Sequence, residues 1–366
     1  TSLVYFFLDL LLNKIKSKIN IRDFLIYVLL ATVCDVMPLR KLNRLISLTA
    51  LNEFDINKNN VFKELYNLNT KKNKININDL GYLVGPILNA GGRLGKSSYA
   101  TELLSSNNST FINKKLNELI VLNNKRREIE SIILNDIDFD EIEKNNKNVI
   151  IYYNPNINEG LIGIIAARLK DYFNKPSIVI TNSNNLLKGS ARSIFNFNIG
   201  RVMKNLLNEN IIISGGGHNM AAGFTLEKSN LKIFEKYINS KYSDIKETSN
   251  YTFKYDFEIS STAFNKNFFN DIKKIEPFGN ENPIPIFFLK DLKVIKPIIL
   301  ENKHISLILK SKIGYSIKSI SFNSVNTKIG EYLLNYKKNL NVLGEINENF
   351  WNGKNTLQLT VRDLIL

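Results

Sequence analysis

The segment Gly215-Gly216-Gly217-His218 decides how the fold of this chain is interpreted. It follows residues 211–214, three isoleucines and a serine, which predict a short strand running into the glycines. Consecutive glycines let the backbone approach a ligand closely and expose its N–H groups, and such a nest suits a phosphate group. His218 would place its imidazole at the same point. The segment predicts contact with a phosphate or a scissile bond, and the alternative is a glycine-rich turn beside a packed histidine.

Alternating strand and helix patterns surround this segment. Residues 149–153 and 177–181 read as strands on either side of a helix over residues 160–173. This is a βαβ unit, which implies a parallel strand pair with a right-handed crossover. A strand, a helix and a closing helix follow at residues 187–192, 199–207 and 228–242. The patterns predict an α/β domain with a mixed sheet over residues 145–245.

The flanking regions have different patterns. Residues 1–112 read as mostly helical, with apolar residues such as Leu3 and Phe6 at helical spacing. A connecting segment, residues 113–144, contains a long helix up to residue 136. Over residues 246–366, five or six short strands separated by turn residues predict an all-β barrel of the OB type. The predicted fold is a largely helical α/β part, an α/β domain and a barrel, in that order.

The chain is strongly basic. Its 366 residues carry 49 Lys and Arg against 34 Asp and Glu, a formal charge of +15. Such a charge favours a polyanionic partner or an acidic membrane surface. Much of the charge comes from Lys in a sequence rich in Asn and Ile. An AT-rich genome also produces this composition, so only part of the charge counts as evidence for a polyanionic partner.

Cysteine and histidine are scarce. The single cysteine, Cys34, excludes a disulfide within the chain and a Cys-based zinc site, and it fits a reducing, cytoplasmic compartment. With only His218 and His304, a metal site has to rely on carboxylates, which suits Mg²⁺ or Mn²⁺. No secretory signal or membrane contact is predicted, since the apolar residues 24–34 fall short of the about 20 that span a bilayer. The first residue is Thr, which predicts a fragment or a processed chain.

Two segments of the α/β domain combine small residues with anion-binding groups. Arg192 ends a predicted strand and can grip a phosphate bidentately, with the hydroxyls of Ser190 and Ser193 beside it. The alternative is a surface arginine at a strand end. Gly160 and Gly163 open the crossover helix, where they allow either close packing on the sheet or an anion at the helix N-terminus.

Two segments of the N-terminal part also carry candidate site residues. Residues 85–95 form a dense glycine loop that holds Asn89 and Arg93, and such a loop lines a site or joins two helices flexibly. Asp35 ends an apolar element beside a proline-bearing turn. It is either a metal ligand or a capping residue of that turn.

Taken together, six segments resemble the RecJ family of DHH phosphoesterases. The family patterns are A-T-V-x-D-V-x-P-L, G-P-x-x-N-A-x-G-R-x-G, H-x-G-x-x-G-I-x-A-x-R-L, G-S-A-R-S, G-G-G-H-x-M-A-A-G-F and E-P-F-G-x-x-N-P-x-P-x-F. They correspond, in the same order, to residues 31–39, 85–95, 158–169, 189–193, 215–224 and 276–287. Each pattern alone is weak, whereas six in register make a strong resemblance over nearly the whole chain.

The resemblance implies a metal-dependent exonuclease that degrades single-stranded DNA from the 5′ end, in DNA repair and recombination. Asp35 matches the last ligand of a two-metal site for Mn²⁺ or Mg²⁺, whose other ligands precede this chain in the family. Arg192 and His218 are implied as the catalytic residues that hold the phosphate. The further implied DNA contacts are Asn89, Arg93, Asn158, Ser190, Ser193, Gly215, Gly216, Gly217, Lys303, His304, Phe322, Trp351 and Lys354. Implied partners are single-strand binding protein and a RecQ-like helicase.

Three departures from the family pattern and two alternative functions qualify this expectation. The upstream D-x-D-x-D-G and D-H-H segments are absent, Asn158 stands where the family has histidine, and Ile87 stands where arginine is frequent. One alternative is a DHH-family phosphoesterase for short oligonucleotides or cyclic dinucleotides, against which the predicted barrel argues. The other is a non-catalytic module that binds single strands. The first departure predicts that the isolated chain does not cleave DNA.

Overall fold

The computed structural model describes residues 1–69, 74–145, 147–243, 254–335, 338–351 and 354–365, without the side chains of Ser243, Phe350, Trp351 and Lys354. The chain forms two compact units. The first comprises Thr1–Phe54, Ile75–Leu80 and Asn250–Leu366, and the second comprises Asp55–Lys74 and Gly81–Ser249. Among the described residues, no helix is long and apolar enough to cross a membrane.

The helices and strands have the following bounds. The helices are α1 (Ser2–Lys14), α2 (Leu25–Cys34), α3 (Lys41–Glu53), α4 (Asn60–Leu68), α5 (Ile77–Asp79), α6 (Gly85–Arg93), α7 (Tyr99–Ser105), α8 (Ser109–Asp136), α9 (Phe139–Lys144), α10 (Glu159–Phe173), α11 (Ile199–Asn208), α12 (Leu231–Ser243), α13 (Lys266–Lys273) and α14 (Lys328–Asn335). The strands are β1 (Ile150–Tyr153), β2 (Ser177–Ser183), β3 (Leu186–Arg192), β4 (Ser214–His218), β5 (Ala221–Leu226), β6 (Phe257–Glu258), β7 (Phe287–Leu300), β8 (His304–Lys310), β9 (Ser316–Ser321), β10 (Leu340–Trp351) and β11 (Lys354–Ile365).

The second unit contains a five-stranded mixed sheet in the order β1-β2-β3-β5-β4. β1 and β2 are parallel, as the βαβ pattern predicts, and the other neighbours are antiparallel. Val179 packs with the buried side of α10, whereas its neighbours Ile178 and Ile180 pack with α11 and α12. Successive residues of a strand point to opposite faces, so α10 packs on one face of the sheet, over β2 and β3, and α11 with α12 covers the other face.

The glycine segment is a strand, and the predicted strand before it is wrong. Gly215, Gly216 and Gly217 lie within β4, which pairs with β5, a strand that was not predicted. Glycine carries no side chain and therefore no alternation of apolar and polar residues, so the period-2 pattern that marks a strand is missing here. Hydrogen bonds to β5 hold these glycines in an extended strand, which the local sequence alone does not predict. A phosphate nest formed by the three glycines is therefore not what the structure shows.

Residues 85–95 are also different from the prediction, because most of them form helix α6. Gly85, Ile87, Leu88, Ala90 and Gly91 are its buried residues. The buried face repeats at helical spacing, but glycine at three of nine positions hides that repeat in the sequence. Ile87 is 3% exposed and thus belongs to the core, so a direct role in binding is not open to this side chain.

The two adjacent glycines of α6 should respond oppositely to alanine. A Cβ on Gly91 would lie 2.6 Å from the carbonyl oxygen of Lys96 and 3.3 Å from Leu119, whereas a Cβ on Gly92 would meet no atom within 4 Å. We expect Gly91→Ala to lower the free energy of unfolding by about 1–3 kcal/mol through overpacking. Gly92→Ala should raise it by up to about 1 kcal/mol, because alanine favours the helix. Urea denaturation measures both, and equal effects of the two substitutions would contradict the packing of α6.

The barrel of the first unit has the predicted OB type. Its strands follow the order β10-β11-β9-β8-β7, and β10 pairs back onto β7 to close the barrel. Alternate residues of β8 point inward, among them Ile305, Leu307 and Leu309. A strand predicted over residues 252–259 is reduced to β6, although residues 252 and 253 lie outside the described part. Helix α14 was not predicted.

The segment over residues 276–287 fastens the barrel to the turn that follows α2. Asn280 donates its side-chain amide to the carbonyl oxygen of Val36 at 2.6 Å, and its own carbonyl oxygen accepts from the Leu39 amide at 2.8 Å. Arg44 donates to the carbonyl oxygen of Glu276 at 2.9 Å. Val36 has a φ of 52°, which is strained for a β-branched residue. These bonds hold a strained turn directly after Asp35.

Candidate nucleic-acid interface

One face of the sheet in the second unit brings several predicted site residues into register. Arg192 pairs with Ala221, which pairs in turn with His218. Ser190 pairs in the same way with Gly223 and Gly216. Directly opposed residues of antiparallel strands point to the same side. We call the surface formed by Ser190, Arg192, Gly216, His218 and Gly223 the open face.

Two of the five residues of the open face, Gly216 and Gly223, leave the backbone accessible. A Cβ on Gly216 would meet nothing within 4 Å, and one on Gly223 would meet only the carbonyl oxygen of Gly189, at 3.9 Å. The other two glycines of β4 serve packing, since a Cβ on Gly215 would lie 2.8 Å from Ile212 and one on Gly217 would lie 2.3 Å from the Ala221 carbonyl oxygen. Of the three glycines predicted as ligand contacts, only Gly216 therefore belongs to the open face.

Two arginines meet at the first turn of α10. Arg93 donates to the carbonyl oxygen of Gly160 at 2.9 Å. A Cβ on Gly163 would lie 3.0 Å from the guanidinium of Arg192 and 3.1 Å from the hydroxyl oxygen of Ser190. Gly160 thus lets the backbone of Arg93 approach the helix, and Gly163 lets the guanidinium of Arg192 approach it. This is the close packing that the sequence allowed, and it sets two cations beside a helix N-terminus, where anions bind favourably.

The electrostatics of this pair favour an anion. Burial lowers the pKa of Arg192, and the positive charge of Arg93 lowers it further. Burial also lowers the pKa of Arg93, as does Arg126, while Glu130 raises it. Arginine stays protonated in proteins, so these shifts report first the partial desolvation of both guanidinium groups and second the repulsion between neighbouring positive charges. A phosphate bound between the two guanidinium groups would relieve this repulsion.

The remaining predicted residues of the second unit have distinct placements. Asn89 is exposed and precedes Arg93 by one helical turn on α6, so both lie on one side of that helix. Asn158 caps α10 by accepting from the Gly160 amide at 2.8 Å. Ser193 is 1% exposed, and its hydroxyl donates to the Phe197 carbonyl oxygen. The hydroxyl of Ser193 is thus used inside the fold, and its DNA contact stays a prediction that this structure does not test.

In the first unit, Asp35 is exposed directly after α2. Among the described residues, no group of three or more His, Cys, Asp or Glu side chains is placed to hold a metal ion. A single exposed carboxylate does not make a two-metal site. The described residues therefore do not fit Mn²⁺ or Mg²⁺ by themselves, and Asp35 can supply one ligand only.

The predicted barrel contacts cluster at one end of β8. The rings of His304 and Phe322 lie 5.3 Å apart in an edge-to-face arrangement, and Nδ1 of His304 accepts from the Asn323 amide at 2.9 Å. Lys303 is exposed next to them, and Phe322 is 53% exposed. Trp351 ends β10 and Lys354 begins β11, but both side chains lie outside the described part. A cation, an imidazole and an exposed ring in one place suit a nucleic-acid strand.

Comparison with protein families assigns both folds. The sequence model of the DHHA1 domain matches residues 146–244, and that of the RecJ OB domain matches residues 255–363. The single-stranded-DNA-specific exonuclease RecJ of Haemophilus influenzae is 30% identical over 362 residues, which are 94% of this chain and 62% of that protein. The Bacillus subtilis RecJ is 26% identical over 91% of this chain and 43% of that protein.

A solved structure agrees with this assignment. The crystal structure of RecJ in complex with Mn²⁺ from Thermus thermophilus has a TM-score of 0.81 at 21% identity, covering 97% of this chain and 51% of that one. The fold and the two matched regions define a chain with a DHHA1 domain followed by an OB domain. In sequence and in fold it is similar to RecJ proteins. It spans about half the length of the RecJ proteins that it matches.

Proposed function

We propose that this chain is the strand-binding part of a RecJ-type exonuclease, which hydrolyses phosphodiester bonds of single-stranded DNA from the 5′ end. The observation that carries the proposal is the meeting of Arg93 and Arg192 at the first turn of α10, next to the open face. Two guanidinium groups in a partly desolvated site recognise phosphate by charge-assisted hydrogen bonds. His218, in register with Arg192, then faces the same phosphate.

The barrel supports a single strand as the substrate. The cluster of Lys303, His304 and Phe322 offers charge for the backbone and a ring for a base, which is how OB folds bind single strands. This arrangement favours a polymer over a cyclic dinucleotide or a short oligonucleotide. We also propose the domain limits: the helical part over residues 1–112, the connecting segment over 113–144, the α/β domain over 145–245 and the barrel over 246–366. The proposed location is the cytoplasm, and the proposed partners are single-strand binding protein and a RecQ-like helicase.

DNA binding and DNA cleavage are expected to depend on different parts of the protein. Because the described residues contain no cluster of metal ligands, we expect the 366-residue chain to bind single-stranded DNA but not to degrade it with Mn²⁺ or Mg²⁺. Fluorescence anisotropy with a labelled oligothymidylate measures binding, and gel analysis of 5′- and 3′-labelled strands measures cleavage. Affinity should fall steeply with salt, since phosphate contacts release counterions.

The same assays separate the alternatives. Equal affinity for single and double strands, or a salt-independent affinity, would contradict the proposed role. Degradation of the labelled strands by the isolated chain would show that a complete metal site exists within it. Preferential binding of cyclic dinucleotides over oligothymidylate would favour the small-substrate phosphoesterase.

A further inference from the structure

Phe195 is an aromatic residue in an unusually exposed position. Its side chain is 93% exposed, which is the highest value among the large apolar side chains described. It lies three residues after Arg192, in the loop that joins β3 to α11. Single exposed apolar side chains are common on protein surfaces, so the exposure of Phe195 alone does not imply a ligand; its position relative to Arg192 and His218 does.

The turn that contains Phe195 is fixed by a hydrogen bond across it and by buried residues before and after Phe195. The Phe197 amide donates to the Ile194 carbonyl oxygen at 3.1 Å, which closes a β-turn with Phe195 at its corner. Ser193 and Phe197 are buried, and Ile194 packs against the core that α11 covers. The backbone at Phe195 is therefore fixed although its side chain is in solvent. A fixed backbone lowers the entropy lost when the ring meets a ligand.

Hydrogen bonds join this turn to the hairpin that carries His218. The Ser193 amide donates to the Met220 carbonyl oxygen at 2.9 Å, and the Ile199 amide donates to that of Asn219 at 3.2 Å. Asn198 and Asn219 are bonded through their side chains at 2.7 Å. Phe195 is two residues from Ser193, so the two Cα atoms are at most about 7 Å apart. The backbone at Phe195 therefore lies beside the end of the open face that holds Arg192 and His218, and its exposed side chain starts from there.

We propose that Phe195 stacks on a base of the single strand whose phosphate Arg192 and His218 hold. This inference rests on the proposed function and adds a base-binding subsite to it. A nucleotide joins an anion to a flat aromatic ring, and Arg192 and Phe195 offer a guanidinium and an exposed aromatic ring three residues apart in the chain. Stacking accepts every base, because each has a π-face, so the subsite is tolerant of sequence.

The test compares strands with and without bases, using the 366-residue chain. We expect Phe195→Ala to weaken binding of a labelled oligothymidylate about five- to one-hundred-fold, the range for loss of one stacked base. The affinity for an abasic strand of the same length should stay the same, because the phosphate contacts are untouched. Phe195→Trp should keep or raise the affinity for oligothymidylate.

Tyr172→Ala is the matched control, because Tyr172 is also an exposed aromatic, 64% exposed, at the other end of α10 in the same unit. It should bind both strands like the unaltered chain. The inference is overturned if Phe195→Ala binds oligothymidylate like the unaltered chain, or if it loses affinity equally for the abasic strand. If the unaltered chain binds neither strand, the proposed function itself fails, which is a distinct result.

Discussion

Replacing Glu130 with Gln is expected to lower the free energy of unfolding of the second unit by about 3 kcal/mol. The carboxylate accepts from Arg126 at 2.9 Å and from Arg168 at 2.8 Å, and it is 8% exposed. It joins the long helix α8 to α10. Gln keeps the size but removes the charge, so Arg126, which is 12% exposed, loses its anionic partner. The value is near the lower end of the usual range because Arg168 is 59% exposed and solvated.

Glu130→Gln should also change the electrostatics of the candidate interface. Glu130 is the acidic group that raises the pKa of Arg93, whereas Arg126 lowers it. Without this carboxylate, repulsion among Arg93, Arg126 and Arg168 is no longer offset. Urea denaturation followed by circular dichroism measures stability, with Glu128→Gln as the control, because Glu128 is an exposed acid on the same helix. A loss below about 1 kcal/mol, which is typical of surface pairs, would refute a buried role for Glu130.

Arg192→Ala is expected to weaken binding of single-stranded DNA about 10- to 100-fold and to lower the slope of log affinity against log salt by about one. The guanidinium lies half-buried beside Gly163 and next to the charge of Arg93, so a phosphate bound there would form a partly desolvated contact with it. Arg192→Lys should recover only part of the affinity, because an ammonium group cannot bind phosphate bidentately. Anisotropy titrations over a range of salt concentrations measure both quantities.

Lys188→Ala is the control for Arg192. Lys188 lies on the same strand and the same face, but it is paired with Glu159 at 2.6 Å. Its removal lowers the charge of this face by one, as Arg192→Ala does, so a smaller loss of affinity than for Arg192→Ala is expected and separates a direct contact from the general effect of charge. Arg192 also donates to the carbonyl oxygen of Ala191, so the urea midpoint of Arg192→Ala must be checked for folding. An unchanged salt slope in a folded Arg192→Ala chain would exclude a phosphate contact by this residue.

Periodic side-chain patterns made much of the fold predictable. The long helix was expected to begin at residue 113, and α8 begins four residues earlier, while β1, β2, β3, α10 and α11 lie within three residues of their predicted bounds. Each has an apolar period that survives in the sequence. The failures at α6 and β4 share one cause, since both are rich in glycine, which leaves no side-chain pattern to detect.

The candidate site was predictable in its charged residues and not in its surroundings. Arg192, His218, Arg93 and Asn89 stood out because their types bind phosphate. The role of Gly223 could not be predicted, because a glycine in the sequence does not show which face of a strand it will lie on. Phe195 also escaped notice, since exposure is a property of the folded turn. Glu130 lay within a charged run, and its burial depends on Arg168, 38 residues further along the chain.

Residue types and their order along the chain were enough to predict an α/β domain, an OB barrel and a set of phosphate-binding residues in RecJ-like order. The arrangement of Gly215-Gly216-Gly217-His218 depends on contacts that form only in the folded chain. This segment is an edge strand, and pairing with β5 turns Gly215 and Gly217 toward the core while Gly216 and His218 face the open side. Local sequence cannot specify this, because the side on which each residue lies is set by register with a strand whose pairing forms only on folding.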